Sequence, residues 1–153
     1  MGKPHRLRVA EPRAAYSHRP PLVADASVLA AAVFKEQGHD EARALLHGRS
    51  LHAPYLLDFE IANVSLKKLT RDRIGRETVV AALRAYGQLA IERHGVDAES
   101  MLSIAERYQL TAYDAAYLCV AERLGAPLAR LDGKLGEAAR AYLTNDRQVH
   151  EPD

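Results

Sequence analysis

Two short strand-like runs, each closed by an aspartate that opens a helical pattern, constrain this chain more than anything else in it. They are Leu22-Val23-Ala24-Asp25 and Pro127–Leu131 followed by Asp132. A strand that feeds directly into a helix, repeated along a chain, builds βαβ units whose strands lie parallel with helices on both faces. The pattern continues between the two runs. Ala26–Lys35 and His39–His47 read as helices, the second ended by Gly48. Leu51-His52-Ala53 reads as a brief strand before Pro54. Leu57–Thr70 and Arg76–Glu92 have amphipathic helical spacing, His94-Gly95-Val96 is a weak strand, and Ala98–Tyr108 and Thr111–Leu124 are helices. Beyond Asp132, Gly133–Tyr142 reads as a helix and Arg147–His150 as a short last strand.

The 153 residues suit one domain. The formal net charge of +1 hides an asymmetry: residues 1–20 hold Lys3, Arg6, Arg8, Arg13 and Arg19 against Glu11 alone, so the remainder is mildly acidic. Global charge therefore gives no argument for nucleic-acid binding. Residues 1–20 lack apolar periodicity and are expected to be a flexible basic extension, with the folded unit spanning residues 21–150. The single cysteine, Cys119, rules out an intramolecular disulfide and sits in an apolar helical pattern, as a buried inert thiol would. That usage fits a reducing cytoplasm, the expected location. No apolar run approaches the roughly 20 residues of a membrane span. The seven histidines are scattered without the spacing of a zinc site. Phosphate-cradling glycine loops and a nucleophile elbow are absent from the sequence.

The acids carry the functional signal. Asp25 and Asp132 each follow a strand, at the carboxyl edge of a parallel sheet, where such folds bind ligands. Asp114 lies in the first turn of a helix, and Tyr117, Leu118 and Ala121 continue its face; that apolar face points Asp114 over the sheet edge. Glu60 shares a polar stripe with Asn63 and Lys67, beside the apolar stripe Leu57, Ile61 and Val64. Each acid also has a purely structural reading. Asp25 and Asp132 suit helix N-caps, Thr111 and Asp114 have capping-box spacing, and Glu60 suits a solvated helix face. Three acids at one sheet edge, with Glu60 a fourth on a cleft-facing helix, would repel one another without a cation, and oxygen ligands of this kind suit Mg²⁺ or Mn²⁺.

These residues resemble the PIN-domain family. Val23-Ala24-Asp25-Ala26-Ser27-Val28-Leu29 is similar to its opening motif. Ala53-Pro54 with Glu60-Ile61-Ala62-Asn63-Val64 is similar to the second. Leu110-Thr111-Ala112-Tyr113-Asp114-Ala115-Ala116-Tyr117-Leu118, with Gly125-Ala126-Pro127-Leu128 beyond it, is the most specific, and Leu131-Asp132-Gly133-Lys134-Leu135 is similar to the fourth. Together they span about residues 22–143 in the family's order. The resemblance implies a PIN-like three-layer α/β/α sandwich with a short-stranded, mainly parallel central sheet. The compact size resembles the VapC-type toxins of toxin–antitoxin pairs. That implies an endoribonuclease using Mg²⁺ or Mn²⁺, a homodimer, an RNA substrate, and a small VapB-like antitoxin that covers the site. Asp25, Glu60, Asp114 and Asp132 would be the catalytic and metal-binding residues.

One position departs from the family pattern. Thr or Ser usually stands two residues before the fourth acid, and Arg130 stands here. Arg130 is expected to pair with Asp132 or to contact a phosphate. Ser27 and Asn63 are candidate donors to the acids or to the scissile phosphate. Lys67, Lys68, Arg71 and Arg73 are candidate RNA contacts, although cations also complement a helix C-terminus. Two other readings compete. A PIN-fold binding or scaffold module with weak or no catalysis would keep the fold and lose the chemistry. A phospho-acceptor receiver domain also clusters acids at a sheet edge, but it usually pairs them after the first strand, where Ala24-Asp25-Ala26 has one.

Overall fold

Asp25 ends a strand and starts a helix at the same residue. Its backbone is extended, and its Oδ1 accepts from the amides of Ser27 and Val28, which the helix leaves without internal partners. This joins β1 (Pro21–Ala24) to α1 (Ala26–Phe34). The computed structural model describes residues 19–131. After α1 come α2 (His39–Leu46), β2 (Ser50–Pro54), α3 (Leu56–Thr70), α4 (Arg76–Gly87), β3 (Ile91–His94), α5 (Ala98–Tyr108), α6 (Ala112–Leu124) and β4 (Leu128–Ala129). Asp97 caps α5 through the Ser100 amide at 2.8 Å, and Thr111 caps α6 through the Asp114 amide at 3.1 Å. Gly125 takes the left-handed conformation (φ 56°) that stops α6.

The four strands form one parallel sheet in the order β3-β2-β1-β4. Helices α5 and α6 pack as a pair, with α6 lying over β1, β2 and β4, while α1 packs against α2, α3 and α4. The result is a three-layer α/β/α sandwich, as expected. Ala115 to Ala121 are all buried, so α6 is apolar around most of its circumference and sits at the centre of the molecule. The core gathers Val23, Val28, Leu29, Leu57, Ile61, Leu118 and Val120, all almost fully buried. Cys119 is buried among them, as its pattern implied.

Two expectations need correction. The helix expected to run to Glu92 stops at Gly87, and β3 occupies Ile91–His94 rather than residues 94–96. Apolar residues at Val80, Leu83 and Ile91 keep helical phase across the break, which disguised it. Pairing decides otherwise: Ile91 lies beside Leu51 and His94 beside Pro54, so this segment completes the sheet. Asp132, the helix expected over residues 133–142 and the last strand over residues 147–150 lie outside the described residues, as does most of the basic extension.

The strand order matters for function. The chain moves from β1 outward through β2 to β3, then returns to place β4 on the other side of β1. The reversal falls between β1 and β4, and parallel sheets form their ligand crevice at the carboxyl ends of strands at such a point.

Candidate active site

Asp25 stands at that reversal. The residue is only 6% exposed, and its amide donates to the Ala129 carbonyl of β4 at 3.1 Å. One carboxylate oxygen is fully engaged: Oδ1 accepts from the Ser27 amide at 2.9 Å, the Val28 amide at 3.3 Å and the Ser27 hydroxyl at 2.5 Å. The other, Oδ2, faces the Arg130 guanidinium at 3.5 Å. The capping role and a place in the site are thus compatible, because they use different oxygens. Ser27 Oγ also accepts from the Leu131 amide at 3.2 Å, tying the start of α1 to the end of β4.

Two more acids arrive from the helices on either side. Glu60, in the second turn of α3, accepts a short hydrogen bond from the Tyr117 hydroxyl of α6. Asp114, in the first turn of α6, accepts from Arg130 Nη1 at 2.9 Å. Its amide is capped by Thr111 while its carboxylate is turned to Arg130. Arg130 therefore bridges Asp25 and Asp114. Burial pushes the carboxyl pKa of Glu60 up, Tyr117 opposes the rise, and the negative charges of Asp25 and Asp114 add to it. Burial likewise raises Asp25, against the pull of Ser27 and Arg130. Tyr117 is itself pushed far above its ordinary value, first by burial and then by Glu60, so it stays protonated and donates.

The site thus joins Asp25, Glu60 and Asp114, with Ser27 beside Asp25 and Arg130 among the acids. The expected Arg130 partner, Asp132, lies outside the described residues; the described partners are Asp25 and Asp114. Asn63 lies one turn beyond Glu60 and is exposed. Tyr117 was read from the sequence only as part of an apolar face. Its hydroxyl was the overlooked signal, since a buried tyrosine needs a partner. Among the candidate RNA contacts, Lys67, Arg71 and Arg73 are exposed. Lys68 is not: its residue is 7% exposed, its ammonium sits on the Glu36 carboxylate, and it lies 5.0 Å from the centre of the Phe34 ring. Lys68 fastens α3 to the end of α1, which corrects its assignment to RNA. Asp58, two residues before Glu60 and so on another side of α3, bonds Tyr86 and Arg93.

This arrangement matches a known family. The PIN-domain family model matches residues 22–141. The chain belongs to the PIN-domain family. Among its relatives, it is 34% identical to the VapC ribonuclease Mb0985 of Mycobacterium bovis, over 78% of this chain and 92% of that protein. It is 30% identical to ribonuclease VapC3 of Pyrobaculum aerophilum, over 80% of this chain and 98% of that one. The PIN fold is also that of PAE2754 from Pyrobaculum aerophilum, with a TM-score of 0.64, 20% identity, and coverage of 87% of this chain and 94% of that one. Mycobacterium tuberculosis VapC20, a Sarcin-Ricin loop cleaving toxin, shares it with a TM-score of 0.56, 18% identity, and coverage of 76% and 94%. In this PIN domain, the three described carboxylates come from three separate elements, and the charges of Asp25 and Asp114 both reach Glu60.

Proposed function

We propose that this PIN domain is a VapC-type endoribonuclease toxin that hydrolyses RNA phosphodiester bonds with Mg²⁺ or Mn²⁺ at Asp25, Glu60, Asp114 and Asp132. The observation that carries the reading is the convergence of three carboxylates at the strand reversal, two of them with raised pKa values. An oxygen-only donor set with mutual repulsion fits a hard divalent cation, which would relieve the charge. Bound there, such a cation supplies a water of lowered pKa and neutralises charge at the phosphate. Asp25 would hold it through Oδ2, its other oxygen being fixed by the α1 amides. Asp114 would be the second direct ligand. Glu60, oriented by Tyr117, would position water or a further cation. Asp132 would complete the set, while Ser27 keeps Asp25 in place and Asn63 donates towards the scissile phosphate. Lys67, Arg71 and Arg73 would follow the RNA backbone.

A small VapB-like antitoxin would cover this cleft, and the protein would work in the cytoplasm as a homodimer. An exposed apolar stripe on α3 and its N-cap supports the second copy: Tyr55, Phe59 and Leu66 are 62%, 72% and 56% exposed and recur at helical spacing. Arg130 favours one alternative, a catalytically weak scaffold, because its guanidinium already neutralises two of the proposed ligands.

The deciding experiment is cleavage of a mixed cellular RNA pool with Mg²⁺, Mn²⁺ or EDTA, beside Asp25→Asn. Cleavage that EDTA and Asp25→Asn both abolish is expected. Equal behaviour of wild type and Asp25→Asn, with no thermal shift from either metal, would promote the scaffold.

A further inference from the structure

His52, Glu92 and His94 lie together on the sheet although 42 residues separate the two histidines. The parallel register explains it. His52 of β2 pairs with Glu92 of β3, and His94 lies two residues further along β3, so all three side chains project from one face. Arg93, between them, projects to the opposite face and reaches Asp58 of α3 and Tyr86 of α4. The cluster is therefore on the other side of the sheet from those helices.

Its geometry resembles a metal site. His52 Nδ1 and His94 Nε2 are 3.0 Å apart, and the Glu92 oxygens are 3.7 Å from His52 Nδ1 and 3.9 Å from His94 Nε2. Ligands bonded to a tetrahedral zinc ion at about 2.0–2.1 Å stand about 3.3–3.4 Å from one another. The histidine pair is slightly inside that spacing and the carboxylate slightly outside it. Glu92 is 68% exposed and free to swing inward, whereas the histidine side chains are only 10% and 13% exposed and fixed. The remaining nitrogen of His52, Nε2, lies 3.1 Å from Ser50 Oγ. With Ser50 accepting the Nε2 proton, Nδ1 is left with its lone pair directed at the cluster. A hydrogen bond of this kind to the distal nitrogen commonly sets the tautomer of a metal-bound histidine.

We propose that His52, Glu92 and His94 bind a late first-row divalent cation such as Zn²⁺, with Ser50 orienting His52 and the fourth position open to solvent. Two imidazoles and one carboxylate select for Zn²⁺, Co²⁺ or Ni²⁺ over Mg²⁺, the reverse of an oxygen-only set. The ion clamps edge strand β3 to β2. It is independent of the carboxylate cleft in ligands and in metal preference.

The test is titration of the full chain with Co²⁺, followed by visible absorption, then back-titration with Zn²⁺ or Mg²⁺. One equivalent should develop visible bands that Zn²⁺ bleaches and Mg²⁺ does not, and Zn²⁺ should raise the melting temperature. His94→Gln should lose both responses, and Glu92→Gln should weaken Co²⁺ binding at least about tenfold. Asp25→Asn should keep them, and His94→Gln should cleave RNA as wild type does with Mg²⁺. Melting curves in EDTA establish that the variants are folded, and exposed Glu92 decides if His94→Gln is not. No bands with wild type, or bands unchanged in the folded variants, would overturn the site.

Discussion

Arg130 places a permanent positive charge between Asp25 and Asp114, and its removal should pull stability and metal binding in opposite directions. In EDTA, Arg130→Ser should melt lower than wild type, because two carboxylates lose their counter-charge. In Mg²⁺ or Mn²⁺ the order should reverse, with the metal concentration giving half-maximal stabilisation about tenfold lower, equivalent to about 1.4 kcal/mol. A uniform loss of stability in both conditions would mean that Arg130 is simply part of the fold. Glu60 offers the complementary test. Its folded pKa and that of Asp25 lie above their unfolded values, so the stability they contribute is present at low pH. It is lost as pH rises through the raised folded values. The contribution of these two carboxyls in the metal-free protein should therefore slope downward from mild acid to neutral pH, against an opposing rise from His52, whose burial lowers its imidazole pKa. Glu60→Gln, which keeps an acceptor for Tyr117, should flatten that slope and melt about 2–4 °C higher at pH 7. A slope unchanged by Glu60→Gln would remove Glu60 from the cause. Asp25 was legible as the acid between an apolar strand and a helix, and Glu60 and Asp114 from the apolar stripes of their helices. The Arg130 bridge was not, since its partners are set by the β1–β4 pairing, which no local pattern encodes.

Most elements were readable for the same local reason. Asp25, Asp97 and Thr111 cap their helices, and Gly125 ends α6 as its freedom at positive φ allows. The failure at α4 and β3 shows the limit: the helical phase of the apolar residues ran on, and only pairing with β2 identifies the strand. The same strand pairing hid the His52–Glu92–His94 cluster, because zinc spacing along a chain says nothing about neighbours across a sheet. What holds α3, α4 and β3 together is also nonlocal. Asp58 accepts from Tyr86 at 2.6 Å and from Arg93 at 2.9 and 3.2 Å, so one carboxylate joins three elements. Arg93, then burial in opposition, then Tyr86 govern its pKa, which is lowered overall. Asp58→Ala should cost about 1–2 kcal/mol near neutral pH, discounted for partial exposure. That contribution is lost as pH falls through the lowered folded value, a window opposite to that of Glu60. A Tyr86→Phe variant should lose only part of it, measured by urea unfolding.

For the molecule as a whole, α6 is the element about which both the core and the site are organised. Leu118 is 1% exposed, so Leu118→Ala should destabilise by about 2–5 kcal/mol and lower activity only through the folded fraction. Activity restored by cold assay, where more of the variant is folded, would separate packing from chemistry. On the outer surface, Phe59→Asp should convert the proposed dimer to monomer in light scattering while leaving the melting curve of the monomer intact. An unchanged mass would place the second copy elsewhere. The pairing of β4 with β1 has one more consequence, in time. Leu131 reaches Ser27 across 104 residues of chain, and Asp25 receives its β4 neighbour across a similar distance. At synthesis rates of about 5–20 residues per second, roughly 5–20 s separate the making of the first acid from that of the strand beside it. Glu60 and then Asp114 are added during that interval, and even with all three acids made the growing chain lacks the strand that completes the cleft. The cleft can close only when β4, the last described strand to be made, reaches β1 inside the sheet.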